Sequence, residues 1–215
     1  MAIGAEIKRR SPSAGAISDG LDPVAHAASY VRAGASAVSV LTNEPFFGGS
    51  LRDLERVAAS VPVPLLRKDF ILDELQIVEA RAHGASAVLL IVRVVPPEHL
   101  ASLIRFAREW HLDPVVEVHT AQELAMALDC GADILGVNSR DLETFAIDTS
   151  GAWQLLGTVP ADRIAIAESG MASRSDVEGA AAAGADAVLV GTAFSSLADP
   201  ESLIGRMTGV KRRGR

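Results

Sequence analysis

The chain has 215 residues, 49% of them apolar, a formal net charge of -7 and one cysteine. That length and apolar content suit one globular unit with a substantial core, and the acidic balance excludes a surface built to bind nucleic-acid phosphates. A lone Cys130 excludes an intrachain disulfide or a cysteine-rich metal site and fits a reducing cytoplasm, and no segment reaches the ~18 continuous apolar residues of a membrane span.

In chain order, a first strand at "IGAEIK" is followed by helical spacing in "DPVAHAASYVRAG" and a second strand in "AGASAVSV". Next come a helix at "SLRDLERVAAS", a strand at "PLLRKDF", a helix at "ELQIVEARAHG" and a strand in "HGASAVLL". The second half continues with helix "PEHLASLIRFAREW", strand "PVVEV", helix "TAQELAMALDCG" and strand "CGADILGV". It ends with strand "RIAIAES", helix "RSDVEGAAAAG" and strand "AGADAVLV". Four of these units repeat one pattern, in which a helix stops at a Gly and an apolar strand follows; the glycines, Gly34, Gly84, Gly131 and Gly184, are 50, 47 and 53 residues apart. Gly tolerates the left-handed conformation that ends a helix.

Alternating strands and helices specify a parallel sheet. Eight strands with a repeat of two units favour closure into a (β/α)8 barrel over an open doubly wound sheet. The barrel is expected to occupy residues 1–209 as a single domain. Residues 210–215 form a basic tail, "VKRRGR", expected to be solvated.

A barrel of this kind carries its site at the C-terminal strand ends. Those ends read "AEIKRRSPS", "SVLTNEPFFGGS", "LLRKDF", "LLIVRVV", "VVEVH", "GVNSRDL", "IAESG" and "LVGTAF", so polar groups gather at one rim. Side chains two apart on a strand share a face. Glu6 and Lys8 therefore point together, as do Glu117 and His119, and Asn138 and Arg140. With Lys8, Lys68, Glu6, Glu117 and Glu168 inward, three carboxylates and two lysines meet in one mouth with Arg140 at its edge. Such a cluster costs stability unless satisfied, which favours a catalytic over a structural rim. The glycines, hydroxyls and helix starts of "ESGMASRSD" and "GTAFSS" suit a small phosphate after strands seven and eight.

His119 has the chemistry of a proton carrier, but with no second His at a strand end it makes no metal site. Phe46, Phe47 and Phe70 lie in rim loops and suit a platform for a flat ring. Cys130, before a capping Gly, reads as a small core residue.

Together these stretches, above all "AEIKRRSPS", "LLRKDFILDELQIVEAR", "GVNSRDLETFAID" and "ADAVLVGTAF", resemble the indole-3-glycerol-phosphate synthase family over nearly the whole chain. The resemblance implies a decarboxylating, dehydrating ring closure of 1-(2-carboxyphenylamino)-1-deoxyribulose 5-phosphate, with no metal or organic cofactor. It assigns Lys68 as the general acid for ring closure and Lys8 and Glu117 to the dehydration, with Glu6, Asn138, Glu168 and Ser169 as further active-site positions. It implies a ring pocket of Ser11, Pro12, Phe47, Phe70, Arg140 and Leu142, and a phosphate loop of Gly170, Gly191 and Thr192. The implied protein is a cytoplasmic monomer or weak homodimer that takes a phosphorylated small molecule and neither nucleic acid nor membrane. Family members usually carry several tens of residues before the "AEIK" strand, including a helix over the mouth, whereas Glu6 here follows Met1 almost directly. The expectation is thus of a barrel lacking that helix, with an active lyase set against a ligand-binding, partner-binding or substrate-shifted relative.

Overall fold

The computed structural model describes residues 1–214; Arg215, the last residue of the expected basic tail, lies outside the described residues. Eight strands close into a barrel: β1 (Ala2–Ile7), β2 (Ala37–Leu41), β3 (Leu65–Lys68), β4 (Ala87–Ile91), β5 (Asp113–Val118), β6 (Ile134–Asn138), β7 (Ile164–Glu168) and β8 (Ala187–Val190). Every neighbouring pair is parallel, and β1 closes the ring through Gly4 opposite Ala37 on one side and Ala2 opposite Ala187 on the other. Each strand is followed by a helix: α1 (Pro23–Arg32), α2 (Leu51–Ala58), α3 (Glu74–Ala82), α4 (Pro97–Glu109), α5 (Ala121–Asp129), α6 (Thr149–Leu156), α7 (Arg174–Ala182) and α8 (Glu201–Met207). The fold is a single-domain (β/α)8 barrel, as the repeat requires.

The repeat has a local cause. Gly34, Gly84, Gly131 and Gly184 adopt φ of 102, 85, 85 and 100°, the left-handed region that a side chain disfavours. Helix starts are equally specified: Asp22 caps α1 ahead of Pro23, while Asp73 with Gln76 and Ser173 with Asp176 form reciprocal capping boxes on α3 and α7.

Period-two alternation along the strands divides the molecule into two packed regions. Outward residues such as Ile3, Ala5, Ile7, Val88, Leu90, Val116 and Val188 join Leu54, Ile77, Leu103 and Ile104 of the helices in the main core between sheet and helices. A second, smaller cluster of Leu89, Ile91 and Val115 is packed against Leu66, Phe70, Leu142 and Ile166.

The fold adds elements that the sequence pattern left unmarked: α6 and α8, short helices at Glu44–Phe47 and Thr192–Ser195, and a two-stranded ribbon pairing Arg10–Ser11 with Gly15–Ala16. The N-terminal ammonium donates to the Val210 carbonyl at 2.7 Å, and Arg212 pairs with Asp186 at 2.7 Å. No helix among the described residues is long and apolar enough to cross a membrane.

Candidate active site

The stretch "LLRKDF" shows how the barrel sorts its charges. Arg67 points outward and is 3% exposed. Its guanidinium donates to Thr42 Oγ1 at 3.2 Å, to the Gln76 carbonyl of α3 at 2.5 Å, to Glu79 at 3.2 Å and to Asp69 at 3.3 Å. Asp69 in turn accepts from Thr42 Oγ1, Asn43 Nδ2 and the Phe70 amide, which fixes the loop leaving β3. Arg67 and Asp69 are therefore structural, and the residue between them, on the opposite face, is free to enter the barrel. That residue is Lys68.

Glu6, Lys68, Glu117 and Glu168 come from β1, β3, β5 and β7, the alternate strands that supply one layer of a barrel interior. Lys68 Nζ lies 2.8 Å from Glu168 Oε2 and 3.3 Å from Glu117 Oε2. Lys8 Nζ lies 2.9 Å from Glu6 Oε1. Burial alone would drive the Lys68 ammonium toward its neutral form, but Glu168, Glu117 and Glu6 outweigh it and hold the pKa well above the usual lysine value. Burial also opposes ionisation of Glu6, yet Lys8, Lys68 and Arg140 bring its pKa below the ordinary carboxylate value. Glu168 goes the other way: burial, reinforced by Glu117 and Glu6, pushes it up to about 7 despite Lys68. The layer thus combines a firmly charged ammonium with a carboxyl group that titrates near neutrality.

These groups line a cavity of about 990 Å³ at the C-terminal strand ends. Its apolar lining includes Leu89, Ile91 and Leu189. One wall carries Phe47 and Phe70, whose ring centroids are 6.4 Å apart, with Phe46 edge-on to Phe70 at 6.3 Å. Ser11 and Pro12 reach the same cavity from the ribbon after β1. That ribbon is pinned by Arg9, which donates to Asp53 of α2 at 2.6 Å and to the Gly48 carbonyl at 3.0 Å.

The loop after β6 forms the facing side. Asn138 Oδ1 accepts the Arg140 amide at 3.0 Å, and Arg140 Nη1 donates to the Phe145 carbonyl at 3.1 Å. Arg140 and Leu142 both line the cavity. After β7, Ser169 and Gly170 have φ of 64 and 74° in succession. A non-glycine residue in that region is uncommon and costs of order 1–3 kcal/mol, so the surrounding structure holds this turn in place. A Cβ on Gly170 would lie 2.6 Å from Thr149 Cγ2 of α6, so the position needs glycine for space as well as for φ. At the end of the neighbouring strand, Gly191 and Thr192 line the cavity at the start of the short helix after β8.

The catalytic, ring-pocket and phosphate-loop candidates named from the sequence therefore meet in one cavity, whereas His119 lies outside its lining. Others there were not singled out: Arg93 at the end of β4, and Phe145 and Ile147 in the loop after β6. Arg93 was visible in "LLIVRVV", but a lone arginine beyond a strand end carries no signal of its own.

A family model described as indole-3-glycerol phosphate synthase matches residues 1–207. The chain is 48% identical over 197 residues to indole-3-glycerol phosphate synthase of Leptospira interrogans serogroup Icterohaemorrhagiae serovar copenhageni, covering 92% of this chain and 78% of that one. It is 48% identical over 207 residues to the protein of the same name from Nocardioides sp., covering 96% and 80% respectively. Among solved structures, 3-hexulose-6-phosphate synthase from Salmonella typhimurium aligns over 98% of both chains with a TM-score of 0.74 at 18% identity, which speaks to the fold alone.

Proposed function

The chain belongs to the indole-3-glycerol phosphate synthase family, and from that premise we propose that its charged barrel layer carries the family's decarboxylating ring closure. The observation that supports this most directly is the Lys68 ammonium held at 2.8 Å from Glu168 and 3.3 Å from Glu117, beneath an aromatic wall.

The proposed substrate is 1-(2-carboxyphenylamino)-1-deoxyribulose 5-phosphate. Its flat ring lies against Phe47 and Phe70, with Ser11, Pro12 and Leu142 around it and Arg140 near its carboxylate. Its phosphate takes the turn at Gly170 and the amides at Gly191 and Thr192. The ring carbon that bears the carboxylate attacks the sugar ketone, and Lys68 gives a proton to the developing alkoxide. Carbon dioxide then leaves from that carbon, which has become tetrahedral and electron-poor, and the ring regains aromaticity. Lys8 protonates the departing hydroxyl while Glu117 removes a proton from the neighbouring carbon, so that water and the indole double bond form together. Glu6 holds Lys8, Glu168 holds Lys68, and Asn138 and Ser169 line the reacting region. Two fixed cations and Arg140 suit a substrate that carries both a carboxylate and a phosphate.

The same proposal takes residues 1–209 as the catalytic unit, working in the cytoplasm as a monomer or weak homodimer, and gives it no nucleic-acid partner, the one point that the net charge of -7 supports.

The test is turnover of this substrate followed by indole fluorescence, with Lys68→Ala beside the unaltered chain. Loss of a positioned general acid lowers the rate by about 10²–10⁴-fold. Binding without turnover by the unaltered chain would overturn the lyase reading in favour of a ligand-binding barrel.

A further inference from the structure

His119 lies just beyond β5 with its imidazole between two carboxylates and only 6% exposed. Nε2 is 3.4 Å from Glu117 Oε1, and Nδ1 is 3.3 Å from Glu123 Oε2. Glu117 Oε1 and both ring nitrogens are buried and make no hydrogen bond, so these two close charge contacts are all that each has. A buried polar atom left unsatisfied is costly, so this ring and these two carboxylates depend on one another.

The local chain explains how the ring arrives there. Thr120 caps α5 by accepting the Glu123 amide at 3.1 Å. The Glu123 side chain folds back, and its Oε2 accepts the His119 amide at 2.6 Å. Its other oxygen, Oε1, accepts Arg93 Nε at 2.8 Å, and Arg93 Nη1 lies 3.7 Å from Asp141 Oδ2 at the rim. Glu123 is therefore anchored through the helix cap, through the His119 backbone and through Arg93, and it presents a fixed face to the imidazole.

On the other side, Glu117 divides its two oxygens. Oε2 faces Lys68, and Oε1 faces His119. A ring with hydrogen on both nitrogens is attracted to both carboxylates, whereas a ring with one hydrogen turns it to one and a lone pair toward the other. Without the ring, Oε1 would lose its contact with Nε2 and the carboxylate could rotate away from Lys68.

Resting on the assignment of Glu117 to the dehydration, we propose that His119 is a positioning residue that fixes the orientation of Glu117, with Glu123 and Arg93 bracing the ring from the rim. His119 does not line the cavity and need not touch substrate. Its contribution passes through the direction in which Glu117 presents Oε2.

The test compares His119→Phe, which keeps a flat ring and removes both nitrogens, with His119→Gln, which keeps a donor. His119→Phe is expected to lower kcat about tenfold or more with KM within about threefold, and His119→Gln to recover most of that loss. A kcat within twofold of the unaltered chain in His119→Phe, or equal damage from His119→Gln, overturns the proposal. Should His119→Phe not fold, Glu123→Gln decides by the same split, since it loosens the brace from outside the cavity lining and any shift of Arg93 is read in KM. If the unaltered chain itself shows no turnover, the lyase reading fails separately, and the ring-nitrogen resonances of His119 decide the positioning claim. Movement of the Nε2 signal in Glu117→Gln sustains it, and an unmoved signal overturns it.

Discussion

Lys68 Nζ sits 2.8 Å from Glu168 Oε2, with side-chain exposures of 16% and 2%. Because Lys68 also reaches Glu117, deleting its ammonium removes the cation shared by two buried carboxyl groups. Breaking a buried pair in this way costs about 3–5 kcal/mol, whereas removing both partners is far milder. Lys68→Met is therefore expected to lose activity and stability together, and Lys68→Met with Glu168→Gln to regain stability while remaining inactive. Urea midpoints for the single and double variants check this; a single variant as stable as the parent would sink the idea.

Glu168 gives the molecule a defined dependence on pH. Its folded pKa, pushed up to about 7 by burial, exceeds the ordinary 4.5, so between these values the folded state holds the proton that the unfolded state has released. Stability contributed by this group is complete below about 4.5 and declines as pH rises through 7, after which it stays flat. The raised pKa corresponds to on the order of 3 kcal/mol. Glu168→Gln should remove that decline, leaving the variant less sensitive to pH between 5 and 8 than the parent. Parallel slopes in denaturation series across that range would contradict the assignment.

Gly136 on β6 makes room for the same carboxylate, because a Cβ built there would overlap Glu168 Oε1. Val115 Cγ1, 3.6 Å away, is in ordinary contact, so the methyl group finds room only by moving the carboxylate. Gly136→Ala is expected to displace Glu168 from Lys68 and to cost about 1–3 kcal/mol through overpacking. Activity should fall more steeply than melting temperature, and a variant with parental turnover would show that Glu168 tolerates displacement.

Much of this was legible in the sequence because two local rules carry it. Alternation along the strands allowed Lys68 to be placed inward with Glu6, Glu117 and Glu168, and the four helix-ending glycines marked where strands begin. The signal failed where structure depends on distant partners. The segment "TSGAWQLL" becomes α6 despite its Thr and Gly, since Asp148 accepts the Gly151 amide at 2.9 Å and Trp153 packs over Gly179, where a Cβ would lie 2.6 Å from the indole. Arg93 and Glu123 stand 30 residues apart, and their pairing exists only once β4 and β5 are side by side. The candidate residues could be named individually, but the support behind them could not.

Ser195 shows that support at its longest range. It is fully buried on the short helix after β8, and its hydroxyl donates to the Glu6 carbonyl at 2.8 Å while accepting the Lys8 amide at 3.1 Å. Tyr30 of α1 adds its own hydroxyl, 3.3 Å from both the Glu6 carbonyl and Ser195 Oγ. The end of β1, where the Glu6 and Lys8 side chains pair at 2.9 Å, is thereby tied to the helix that begins at Thr192. Ser195→Ala strands the Lys8 amide and halves the donors to Glu6, a loss of about 1–3 kcal/mol for an unsatisfied buried group. Tyr30→Phe removes one of two donors to the same carbonyl and should cost about 1 kcal/mol. Because both hydroxyls serve one carbonyl, the double variant is expected to lose more than the sum of the two, by at least about 0.5 kcal/mol. Denaturant midpoints of the four proteins measure that difference. Strict additivity would mean that the two hydroxyls act independently and that β1 is held by its strand pairing alone.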